Sequence, residues 1–219
     1  MPESVASGFL SCLDRARAGA YPYRHWLLDG IFPRDICAAI DVLPVAPAPV
    51  GDTMGKRETN NSTRLFFGRA QRALHPVCDQ VAAALQSDPV VRRLEGLCGA
   101  TLAGSNLRIE YCLDTEGFWL EPHTDIGAKL YTMLVYLSEE PGGEAWGTEV
   151  LDGPDRMEAT TPYVRNGGLI FIPAADTWHG FHRRPIKGVR RSLIVNYVKP
   201  EWRSRHELAF PERPVPAQA

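Results

Sequence analysis

Apolar residues recur at helical intervals over the first hundred positions and in short, dense bursts over the second hundred. Val5, Phe9, Leu10 and Leu13 fall on one face of a helix and predict one over 5–18. Residues 23–32 (YRHWLLDGIF) read as an extended segment leading to Pro33, a residue suited to a first helical turn, so a second helix is expected over 33–43. The same spacing predicts helices over 70–85 and 90–98, separated by Ser87-Asp88-Pro89, a cap followed by a first-turn proline. Residues 44–64 are rich in Pro, Gly, Asn and Thr, show no periodicity, and predict a long loop, either a lid or a plain surface segment. As a lid, it would offer Arg57, Asn60, Asn61 and Arg64 to something polar.

From Leu102 the texture changes to LRIEYCL, GFWLEPHTD, KLYTMLVYL, GTEVL, MEATTPYVR, GLIFIP, WHGFHR and VRRSLIVNYVK, short segments rich in β-branched and aromatic residues with turn formers between them. Seven or eight closely spaced strands predict a sandwich or jelly roll. LYTMLVYL and SLIVNYV are apolar at nearly every position, which requires burial on both faces, and the N-terminal helices are available to cover one. With no internal repeat or second boundary, the expectation is one domain over 1–219. It is mainly β with N-terminal helices: helical support over 1–100, a β core over 101–200 and an extension over 201–219, loose from 211.

Composition adds little beyond exclusions. The hydrophobic share is 44%, the charged share 23% and the net charge −2, so there is no general attraction to nucleic acid or anionic membrane. The cysteines at 12, 37, 78, 98 and 112 include no C-x-x-C pair, which argues against a disulfide framework or a structural zinc knuckle and for reduced thiols. The N-terminus lacks the basic start and apolar stretch of a signal peptide, and no run approaches the ~18 apolar residues of a membrane span. The expected location is cytoplasmic, with no membrane partner.

Chemistry enters at EPHTDIGAKL (121–130). On a strand, His123 and Asp125 leave the same face, giving half of a metal site or an ordinary polar pair. A third ligand is available in WHGFHR: His179 and His182 differ by three positions, so only one faces inward, and the turn-like approach 173–178 favours His179. Two imidazoles and a carboxylate bind one face of an octahedron and leave adjacent positions open, as non-haem Fe(II) oxygen chemistry requires; zinc is the competing metal. Iron is favoured by a second substrate that chelates the metal and carries a remote carboxylate. Arg190 and Ser192 share a strand face and offer a guanidinium and a hydroxyl for it.

The ordered set HTD (123–125), GGE (142–144), WHG (178–180) and RRS (190–192) resembles the 2-oxoglutarate- and Fe(II)-dependent oxygenase superfamily, and most closely its prolyl-4-hydroxylase-like branch. The resemblance spans about residues 105–200. It implies a double-stranded β-helix, a cupin-like jelly roll backed by helices, with Fe(II) held by His123, Asp125 and His179 and the far carboxylate of 2-oxoglutarate held by Arg190 and Ser192. It also implies a tyrosine bonding that carboxylate, matched by Tyr136 with Tyr131 a near competitor, and a pocket-lining tyrosine, matched by Tyr111. The implied activity consumes O2 and 2-oxoglutarate, releases succinate and CO2, and hydroxylates a C–H bond of a protein side chain, amino acid or small metabolite. With Asp125 present, a halide has no vacated carboxylate position, which disfavours halogenation. The chain departs from the family pattern after Gly142-Gly143, where Ala145-Trp146-Gly147 is inserted before the next strand, a change bearing on the loop and hence on the substrate.

Plainer readings stand beside these. His123 and Asp125 as a polar pair, or a jelly roll that only sequesters a metal or small molecule, would make no use of O2. A zinc hydrolase would use the triad but not Arg190 and Ser192. RRPIKGVRR (183–191) as a charge run reads as a solvated face. Phe118 and Trp119 read as core or as pocket wall, and His25 and His75 carry no assigned role.

Overall fold

A computed structural model of the chain describes residues 4–49, 51, 53–56 and 63–216. The helices are α1 (Val5–Asp14), α2 (Arg34–Asp41), α3 (Arg69–Leu74), α4 (Pro76–Leu85) and α5 (Asp88–Cys98). The early strands are β1 (Arg17–Gly19), β2 (His25–Asp29) and β3 (Arg64–Phe66). The later ones are β4 (Asn106–Asp114), β5 (Leu120–His123), β6 (Lys129–Tyr136), β7 (Glu149–Leu151), β8 (Met157–Thr160), β9 (Gly167–Phe171), β10 (Trp178–Phe181) and β11 (Arg190–Val198).

Seven strands form one antiparallel sheet in the order β1-β2-β9-β6-β11-β4-β3, and four form a second in the order β5-β10-β7-β8. Together they make the double-stranded β-helix, backed by the N-terminal helices. The strands apolar on both faces are central to the large sheet, and side-chain alternation divides them between two cores. Tyr131, Met133, Val135, Leu193, Val195 and Tyr197 pack with the helices. Leu134, Tyr136 and Ile194 pack with Val150 and Phe181 of the small sheet. The site lies between the sheets, in this second core.

Four local features differ from the sequence expectation. The helix expected over 70–85 is broken into α3 and α4, because Pro76 lacks an N–H and forces His75 into an extended conformation (φ −123°, ψ 106°). The helix expected to reach residue 18 stops at Asp14, and Arg17–Gly19 pairs with β2 instead. The loop over 44–64 ends in an edge strand, β3, which carries Arg64 into the large sheet; Arg57, Asn60 and Asn61 lie outside the described residues. The tail expected to be loose is packed down as far as it is described. Val215 is buried, its N–H bonds the Ser105 carbonyl, and Gln86 Nε2 bonds the Arg213 carbonyl at 2.7 Å. Residues 217–219 lie outside the described set. Among the described residues no helix is long and apolar enough to cross a membrane.

Candidate metal centre

Strand β5 ends in His123 and β10 carries His179, and antiparallel pairing sets the two residues directly opposite each other. Their ring centroids are 4.3 Å apart. Asp125 follows just beyond the end of β5, and ligand atoms from the three side chains lie within 4.8 Å of one another. His182 goes elsewhere, as parity requires: it bonds the buried carboxylate of Glu149, which Arg184 also engages.

The three side chains are prepared for a cation. Each imidazole is tied through Nδ1 to a carbonyl two residues earlier, His123 to Glu121 at 2.9 Å and His179 to Thr177 at 3.0 Å. Nδ1 is therefore the protonated nitrogen, and the Nε2 lone pair is left for a metal, the tautomer control typical of metal-binding histidines. The Thr132 hydroxyl donates to Asp125 Oδ2 at 2.6 Å, and the Lys129 ammonium donates to Oδ1. Thr132 is itself oriented by Asn196, whose amide donates to Thr132 Oγ1 at 2.9 Å, and Arg108 donates to Asn196 Oδ1 at 3.3 Å. Burial raises the cost of charge on Asp125, but Lys129, His179 and the two hydrogen bonds outweigh it and hold the carboxyl pKa down at about 2. A carboxylate that already favours a neighbouring cation, beside two imidazoles whose Nδ1 atoms are tied to carbonyls, is the donor set a divalent metal needs, so the residues fit one.

Burial, opposed by Asp125 and reinforced by His123, depresses the His179 pKa from 6.5 to about 4. Between these values the unfolded chain binds more protons at this position than the folded chain, so stability is full above about pH 6.5 and falls as pH drops toward 4. The melting temperature of chelator-treated protein is thus expected to decline between about pH 7 and about pH 5, and less steeply in His179→Gln. Equal slopes in the two proteins would contradict this assignment.

A cavity of about 380 Å³ lies between the sheets and is lined by the triad, by Leu134, Ile194 and Phe181, and by Arg190. The Arg190 side chain is 2% exposed. It bonds Asp114 Oδ2 through Nη1 at 2.7 Å and the Trp146 carbonyl through Nε at 2.9 Å. Ser192 lies on the same strand face, its Oγ buried and without a hydrogen-bond partner among the described residues. Tyr136 sits opposite Ser192 on β6 and shares that face, while its hydroxyl bonds Thr148 and Thr161 at 2.9 and 2.7 Å. Tyr131, its competitor in sequence, faces the helices. Tyr111 faces away from Tyr136: β4 sends Arg108 and Glu110 to the cavity wall and Cys112 into the inter-sheet core, where Tyr136 also packs, while Tyr111 packs with the helix-side core. Arg191 likewise leaves the opposite face from Arg190 and pairs with Glu140 at 3.4 Å.

Another part of the cavity wall carries a chain of buried ion pairs. Arg64 meets Glu110 at 2.7 Å, Arg108 meets Glu110 at 2.8 Å and Glu207 at 2.6 Å, and the Arg108 guanidinium carbon lies 4.8 Å from the Phe66 ring centroid and 5.3 Å from that of Trp202. Part of the 44–64 segment lies along β5 close by. Thr53 Oγ1 bonds the Trp119 carbonyl at 2.6 Å, and the Glu121 N–H bonds the Gly55 carbonyl at 3.1 Å. Phe118 is core, 5.8 Å from Phe181 ring to ring.

No protein-family model matches the chain, and no curated protein matches it. Solved structures do. A prolyl-4-hydroxylase from Pseudomonas putida aligns over 90% of this chain and 97% of its own at 17% identity, with a TM-score of 0.54. A prolyl hydroxylase from Trichoplax adhaerens, solved with a peptide fragment of hypoxia inducible factor, aligns over 89% of each chain at 12% identity and TM-score 0.58. HygX from Streptomyces hygroscopicus, solved with nickel and 2-oxoglutarate, aligns over 89% of this chain and 91% of its own at 14% identity and TM-score 0.52. The shared feature is the fold.

Several residues around the site were not picked out from sequence: Arg108, Glu110, Thr132, Asn196, Glu207 and Lys129. A signal existed for three of them. Arg108 and Glu110 interrupt LRIEYCL, and Asn196 interrupts SLIVNYV; charged or amide side chains in strands buried on both faces must find partners.

Proposed function

We propose that the chain is a 2-oxoglutarate- and Fe(II)-dependent oxygenase that hydroxylates a C–H bond. The observation that carries this reading is a His-Asp-His cluster and a buried guanidinium, Arg190, lining one cavity, with a serine hydroxyl on the same strand face as Arg190 that has no hydrogen-bond partner among the described residues. In this reading His123, Asp125 and His179 hold Fe(II), and Arg190 with Ser192 receives the far carboxylate of 2-oxoglutarate. Tyr136 supports that end through its face and the threonines it bonds. A hydrolase would have no use for the second group. The iron, with O2 and 2-oxoglutarate, supplies the oxidising power; the chain supplies position, a fixed tautomer at each imidazole and a wall of Leu134, Ile194 and Phe181 that limits water.

Neighbouring folds support the reading. The HygX structure holds nickel and 2-oxoglutarate, and the SnoN epimerase of nogalamycin biosynthesis was solved with Fe3+ and α-ketoglutarate. The substrate class we assign is a polar group without large net charge, on a small molecule or a protein side chain. It faces Arg64, Arg108, Glu110 and Glu207, which pair with one another and leave dipoles rather than a net field. In air, protein loaded with Fe(II) is expected to release succinate from 2-oxoglutarate slowly, and faster with a true substrate, while zinc-loaded protein releases none. Hydrolytic activity with zinc and no succinate with iron would favour the hydrolase instead.

A further inference from the structure

The inserted Ala145-Trp146-Gly147 does not line the cavity; it packs against Arg190 from behind the cavity wall. The Trp146 ring is buried and held by its Nε1 bond to the Pro185 carbonyl at 3.1 Å. Gly147 follows where any Cβ would stand 1.7 Å from the Thr161 carbonyl oxygen, so only glycine lets the chain run this close. The result places the Trp146 carbonyl on Arg190 Nε. Asp114, the register partner of Arg190 across β4 and β11, takes Nη1. The guanidinium carbon also lies 4.7 Å from the Phe181 ring centroid and 5.7 Å from that of Tyr163.

An arginine held by a carboxylate, a carbonyl and aromatic faces has lost its rotamer freedom before any ligand arrives. Its charge is balanced by Asp114, so recognition of an incoming carboxylate depends on directed N–H bonds more than on charge. A fixed donor at a fixed distance from the His-Asp-His cluster acts as a ruler for chain length. We propose that Asp114 is a positioning residue for Arg190 and, with the Trp146 carbonyl, makes the site selective for a five-carbon 2-oxo dicarboxylate over its four- and six-carbon homologues. This rests on the oxygenase reading above.

The test uses full-length Fe(II)-loaded protein and measures succinate or its homologue from 2-oxoglutarate, oxaloacetate and 2-oxoadipate. Asp114→Asn is expected to raise KM for 2-oxoglutarate about tenfold with kcat changed less than about threefold, and to narrow its preference over 2-oxoadipate at least about fivefold. Asp114→Glu keeps the charge but displaces its oxygens, and is expected to shift the same preference; if charge alone mattered it would behave as wild type. A purely structural role would lower melting temperature and active fraction in both variants while leaving KM and preference unchanged, and would overturn the proposal. So would tighter 2-oxoglutarate binding in Asp114→Asn. A wild-type protein that consumes no 2-oxo acid defeats the oxygenase reading itself, whereas normal wild-type turnover with unaltered variants defeats this inference alone.

Discussion

His179→Ala is expected to abolish 2-oxoglutarate turnover and to weaken metal binding beyond the roughly 10–100-fold that loss of a mere supporting hydrogen bond costs. The expectation follows from position. His179 is buried, stands directly opposite His123 in the β5–β10 pairing, and has its Nδ1 committed to the Thr177 carbonyl. Removing it leaves one imidazole and a carboxylate that Lys129 and Thr132 already engage. His182→Ala is the internal control. It sits three residues away on the outer face, on Glu149, which keeps Arg184, so turnover is expected to stay within about threefold of wild type. Equal losses in the two variants, measured as 2-oxoglutarate consumption and as Mn(II) affinity, would show that the triad has been misread.

The second large effect separates neighbouring arginines. Arg190→Ala is expected to raise KM for 2-oxoglutarate by about 10–100-fold, the range of a charge-assisted hydrogen bond worth roughly 1.5–3 kcal/mol. It also takes the guanidinium from buried Asp114, and breaking a buried pair costs on the order of 3–5 kcal/mol of stability. Binding must therefore be read on the folded fraction. Arg191→Ala is expected to change that KM less than about twofold, because Arg191 leaves the other face of β11 and is paired with Glu140 toward solvent. Steady-state kinetics on both variants, with melting curves recorded first, decides it, and similar KM values for the two would contradict the register of β11.

How much of this was legible beforehand depended on whether the information was local. Helical spacing announced α1, α2 and α5, and Pro76 already marked the break between α3 and α4, though the apolar spacing read through it. The R-x-S pair was legible because i and i+2 on a strand share a face whatever the fold; the His-x-Asp pair was legible from its short spacing, although Asp125 stands just beyond the end of β5 and not on it. Tyr111 was not legible for the complementary reason. β4 is buried on both faces, so alternation gives no sign of which face meets the helices and which the cavity. The ion-pair wall joins residues from β3, β4 and the segment after β11, which the sequence keeps far apart and only the sheet order brings together. The inserted tryptophan was visible, but its effect lies in a backbone carbonyl meeting Arg190, a contact no side-chain pattern encodes.

Metal and 2-oxoglutarate are expected to bind together, at the His-Asp-His cluster and at Arg190 of one cavity. Anaerobic titration of the protein with Fe(II) and 2-oxoglutarate, followed by visible absorbance, is expected to give a charge-transfer band that needs both additions and is absent in His123→Ala; no band in the wild-type protein, with no succinate on admitting air, would rule this site out.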